Sequence, residues 1–153
     1  MTPSEREVRF GDIIFNADIY PRKAHDPALV QRYATEMDTI EARRRFMSVS
    51  EDMELLDGRH RHLAYQKNGI DVDTRVTVLV YPTTDFKEKF LLSMDLNAEH
   101  GWQPPQAEKK SWVLKGYGTL GLPIAELAKI ARVRNATANE WTKGLREEEE
   151  RLQ

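Results

Sequence analysis

The residues Asp57-Gly58-Arg59-His60-Arg61-His62 set an acid, a glycine and four side chains that carry or can carry positive charge at one point of the chain. The apolar pair Leu55-Leu56 precedes them and a helix-forming stretch follows, so the cluster falls where an extended segment enters a helix. The open amides of a first helical turn and the positive end of its dipole attract an anion, usually phosphate. Gly58 lets a backbone approach such a group closely, and Arg59 or Arg61 can grip the anion bidentately. A second reading stays open: a solvated turn in which Asp57 caps the helix and the arginines pair with carboxylates.

Other constellations carry less chemistry. His60, His62 and Asp57 are metal-ligating types, but side chains two apart on a helix diverge, so no metal is assigned. Arg43-Arg44-Arg45 is the densest basic run and suits either a nucleic-acid backbone or an exposed loop. With no cysteine in 153 residues, disulfides, thiolate metal sites and cysteine nucleophiles are excluded. No apolar run reaches the length of a membrane span and the first residues lack the apolar region of a signal peptide, so no membrane partner and a cytoplasmic location are expected.

The elements that must position the cluster follow from periodicity. VRFGDIIF predicts a short strand. Asp26 caps a helix that starts at Pro27 and carries Leu29, Val30, Tyr33, Met37 and Ile40 on one face. Phe46 to Val49 and Met53 to Leu56 predict a hairpin, and a helix from His60 to Asn68 stops at Gly69. RVTVLVYP is a β-branched strand stopped by Pro82, and Asp85 opens another helix.

Pro104 and Pro105 mark a boundary. Beyond it the chain reads as helical only: Gln106 to Tyr117, Pro123 to Ala131, and Ala136 to Glu150. The last two, joined by the short turn RVRN, fit a helix-turn-helix. In that reading Ile124, Leu127, Ala128 and Ile130 are buried, and Trp141 holds the second helix from its inner face. Charge separates the same halves although the net charge is only −2. Trp102 to Arg146 hold eight Lys and Arg against three Asp and Glu, and an acidic run from Glu147 follows. Trp102 and Trp112 read as packing residues near the junction.

LLDGRHRHLAYQKNG resembles the second box of the ParB/sulfiredoxin superfamily, in which a strand ends in Gly-x-x-Arg and enters a helix. DIYPRKAHDPALVQRYATEMD resembles the first box through Tyr20-Pro21-Arg22, and LSMDLNAEHGWQPPQAEKKSWVL resembles the segment in which a helix closes on an asparagine, here Asn97. The resemblance implies an α+β fold: a small mixed sheet with flanking helices over residues 5–101, then an all-helical helix-turn-helix region over 102–153. It implies a nucleotide or phosphate pocket built from Arg22, Gly58, Arg59, His60, Arg61 and Asn97. His100 joins the pocket through the similar Asn-x-x-His-Gly pattern. CTP, or ATP or ADP, with Mg²⁺ is the implied ligand.

What the family does divides by motif. Sulfiredoxins need a cysteine that this chain lacks. Partition-type members usually carry Gly-Glu-Arg-Arg where Gly58-Arg59-His60-Arg61 stands, and an acid where Leu96 stands. The resemblance thus implies a ParB-like DNA-binding protein of partition or regulator type, encoded on a chromosome, plasmid or phage. Arg134, Lys143 and Arg146 are expected to meet DNA phosphates, and Asn135, Thr137 and Asn139 to read bases, in a homodimer. The alternative is an enzyme, whether CTPase, serine kinase-like phosphotransferase or ParB-like nuclease, with Asp57 and Asp95 as catalytic carboxylates.

Overall fold

The computed structural model describes residues 1–21, 25–99 and 104–153. Arg22, His100, Gly101 and Trp102, and with them the expected boundary at 101/102, lie outside the described residues. The chain divides by compactness into Met1–Ser93 and Met94–Gln153. Among the described residues no helix is long and apolar enough to cross a membrane.

The first unit is built on four strands, β1 (Ser4–Arg9), β2 (Met47–Ser50), β3 (Leu55–Asp57) and β4 (Arg75–Tyr81), in the order β1-β4-β2-β3. β2 runs parallel to β4 and the other two pairings are antiparallel, so the sheet is mixed. β4, which lies between two partners, alternates Val76, Val78 and Val80 into the core. β1 differs from expectation. It begins at Ser4 and ends at Arg9, where a single 3-10 turn, Phe10–Asp12, carries the chain away. Periodicity hides this strand because it is an exposed edge, SEREVR, whose charges discourage pairing with another chain.

The helix expected over residues 27–40 is two, α1 (Pro27–Thr35) and α2 (Met37–Ala42), and the break at Glu36 lets Val30 and Met37 both reach the core. Asp26 caps α1, accepting from the Ala28 amide at 2.9 Å. α3 (Arg59–Lys67) follows β3 directly and packs on α1. α4 (Phe86–Glu99) starts in the first unit, where buried Lys89 donates to Asp52 at 2.8 Å and pairs with Glu54, tying the hairpin turn to α4. Burial raises the Asp52 carboxyl, but hydrogen bonds from Lys89 and Ser50 outweigh it and hold the group below its ordinary value.

In the second unit α5 (Gln106–Gly118), α6 (Ile124–Ala131) and α7 (Asn135–Arg151) pack pairwise. Trp112, Val113, Leu127, Ala128, Ala131 and Ala138 form its core. α5 approaches α6 closely at Gly116, where a Cβ would stand 2.4 Å from Leu127 Cδ2.

Candidate functional site

The turn between β3 and α3 is held by a residue that sequence reasoning did not put there. Gly58 takes φ 103°, which an L side chain rarely adopts, and is the N-cap of α3 without any side-chain cap bond. Asp57, expected as the cap, stands one position before the N-cap, with its Oδ2 3.4 Å from Arg61 Nη2. The Tyr20 hydroxyl accepts from the amides of Gly58 (3.2 Å) and Arg59 (2.9 Å), and so occupies the acceptor position expected for an anion. In sequence Tyr20 is a tyrosine beside a proline, and its partner is 38 residues away.

The four basic side chains diverge. Arg61 donates through Nη1 to the carbonyls of Arg45 (2.8 Å) and Phe46 (2.9 Å), and Nη2 stands 3.4 Å from Asp57 Oδ2. It braces the entry to β2 and packs over Gly58, where a Cβ would meet its guanidinium at 3.2 Å. His60 accepts the Asp26 amide on Nε2 at 3.0 Å, which makes this ring a tie to the start of α1. His62 is buried with its ring 5.2 Å from that of Phe10, and burial, helped by the Arg59 charge, pushes its pKa down to about 4. It is neutral at pH 7. Arg59 lies 3.7 Å over the Phe15 ring and 3.1 Å from His62 Nδ1. Burial holds the Arg59 guanidinium below its ordinary pKa, against a smaller opposing effect of Tyr20.

In the second unit α6 and α7 are joined through Arg132, Val133 and Arg134. Arg132 ends α6 in the left-handed region, φ 58°, a place where glycine is common, and its Nη1 donates to the Ala98 carbonyl at 2.8 Å. The inner face of α7 is Ala138 and Thr142, with the Thr142 hydroxyl returned to the Ala138 carbonyl at 2.9 Å. Trp141 is only half-buried, as are Ile124 and Ile130, so the expected inner contacts are corrected to these smaller residues. Small side chains let the two helices approach; the tryptophan is too large for that seam.

Arg134, Asn135, Asn139 and Lys143 are exposed. Asn135, Asn139 and Lys143, spaced by four, share an arc of about 80° on α7. Thr137 is half-buried and about 160° around the helix from Asn139. Arg146 is folded back, its Nη2 donating to the Asn139 carbonyl at 2.7 Å.

No family model and no curated protein matches the sequence. Solved structures do. The C-terminally truncated chromosome-partitioning protein ParB from Caulobacter crescentus, complexed to the centromeric parS site, superposes with a TM-score of 0.57 at 14% identity, over 92% of this chain and 71% of that one. The same truncated protein complexed with CTP-gamma-S gives 0.51 at 13% identity, over 93% and 78%. The fold is ParB-like. Within the ParB-like fold the expected pocket residues have separate surroundings. Gly58 and Arg59 meet Tyr20, whereas His60 and Arg61 are engaged with backbone of α1 and of the segment before β2. Asp57 is buried beside Arg61, and Asn97 and Asp95 belong to the second unit, Asn97 buried and Asp95 half-buried.

Proposed function

We propose that this chain is a DNA-binding protein, a ParB-like regulator or partition factor, in which α6 and α7 act as a helix-turn-helix. The observation that carries the reading is the exposed stripe of Asn135, Asn139 and Lys143 on α7, behind a tight turn and backed by a small-residue seam. Arg134 supports it: a cation at the N-cap of α7 opposes the helix dipole, and an incoming phosphate turns that cost into attraction. Asn139 reads base edges from the stripe, while Arg134 and Lys143 contact phosphates. Thr137 is left out of the base-reading set because it faces elsewhere, and Arg146 because it braces α7. One such module binds weakly, so a homodimer on paired half-sites is part of the proposal.

The α3 turn is proposed as the place of a nucleotide phosphate, which takes the acceptor position that the Tyr20 hydroxyl now fills. The ParB complexed with CTP-gamma-S supports CTP as the first nucleotide to try. Anisotropy of a labelled duplex, read from about 50 to 200 mM salt with and without CTP or ATP and Mg²⁺, tests the reading. Affinity is expected to fall by at least tenfold over that range, Lys143→Gln to weaken binding to all duplexes alike, and Asn139→Ala to flatten preference within a pool of sequences. Binding that ignores salt and both substitutions means that α7 is not the DNA surface.

A further inference from the structure

The outer face of α3 and the 3-10 turn after β1 enclose an open cleft of about 570 Å³, which neither the phosphate at the α3 turn nor the DNA stripe uses. Arg59 and His62 line it together with the apolar side chains of Phe10, Phe15, Ile70 and Val72. Three observations define its chemistry. Phe15 covers one face of the Arg59 guanidinium, and among the described residues no carboxylate stands within ion-pair distance of this half-buried cation. Arginines on an open surface need no such partner because water solvates them, whereas a partly desolvated one gains from an anion. His62 adds a ring nitrogen beside that cation rather than a second charge, so the cleft holds about one positive charge. Val72, 59% exposed, leaves an apolar wall uncovered at the rim.

We propose that the cleft binds a small organic monocarboxylate with an aromatic or branched apolar body. Its carboxylate pairs with Arg59, whose planar fork matches two oxygens, and its body lies against Val72 and Ile70. A phosphate dianion suits the cleft poorly: it brings twice the charge and a tightly held hydration shell to one guanidinium among apolar walls.

Phenylacetate is the probe, titrated into ¹⁵N-labelled full-length protein and followed at the Arg59 side-chain Nε–H and the His62 ring. Its neutral counterpart 2-phenylethanol and inorganic phosphate serve as comparisons. Saturable shifts are expected with phenylacetate, with binding at least tenfold weaker for the alcohol, for phosphate and in Arg59→Gln. Val72→Asp, at the exposed rim, is expected to weaken phenylacetate at least tenfold as well, and serves where Arg59→Gln fails to fold. No saturable shift, equal affinity for phosphate and phenylacetate, or undiminished binding in Val72→Asp overturns the proposal. CTP at the neighbouring turn is expected to weaken phenylacetate by charge alone, an effect that fades with salt; mutually exclusive binding at all salt concentrations also overturns the proposal.

Discussion

His62 makes stability a function of pH. Its folded pKa, near 4, lies below the ordinary 6.5, so the unfolded chain binds the extra proton first as pH falls. The contribution is fully present above pH 6.5 and is lost between 6.5 and about 4, a total on the order of 3 kcal/mol. Urea midpoints measured across that window should fall for the native chain and fall much less for His62→Phe. Asp52 acts in a separate range: its lowered carboxyl gives up stability only below its unfolded value of 3.8. At this scale the sequence marked a strand-to-helix turn that the fold forms, but not its partners. Arg61 met backbone carbonyls and Arg59 met Phe15, contacts that depend on residues 15 or more positions distant.

At the scale of elements, helix contact through glycine is testable at two positions. Gly116 on α5 faces Leu127, which is fully buried and cannot yield to a methyl group placed 2.4 Å from its Cδ2. Gly116→Ala is therefore expected to destabilise by about 1–3 kcal/mol even though alanine is the better helix former. Gly144 on α7 has nothing within 4 Å of the same added atom, and Gly144→Ala should stabilise by about 0.5–1 kcal/mol. Opposite signs in thermal or urea melts check the pair; equal signs would mean that the α5 and α6 contact is not as tight as described. Elements with a strong period were legible: β4, the hairpin, α3 and the three final helices stand near their expected places. β1 and the break at Glu36 were not, since an edge strand needs no apolar alternation and a bend is set by what two helix faces bury.

For the whole molecule, the asymmetry of charge bears on the DNA reading. The basic block that holds α5, α6 and most of α7 is followed on α7 itself by Glu147 to Glu150, which oppose a polyanion. Glu148 and Glu150 are exposed. Replacing both with glutamine is expected to tighten duplex binding a few-fold near 50 mM salt, with the gain fading toward 300 mM as screening shortens the reach of charge. An unchanged affinity at low salt would place the DNA away from the end of α7.

What the sequence determined by itself is what short-range periodicity and composition can carry: an α+β half and a helical half, an absence of cysteine chemistry, a cationic strand-to-helix turn, and the three boxes that resemble the ParB/sulfiredoxin superfamily. Tertiary structure alone decided what that turn faces. A hydroxyl from Tyr20 satisfies its first amides, the Arg61 charge is spent on backbone carbonyls, His60 accepts a backbone amide, His62 loses its charge to burial, and Arg59 is left in a cleft without a carboxylate among the described residues. The reason is physical: charge and hydrogen-bonding capacity are properties of a residue, but whether they are directed at a ligand or consumed within the fold depends on neighbours that only chain folding brings within 3–4 Å.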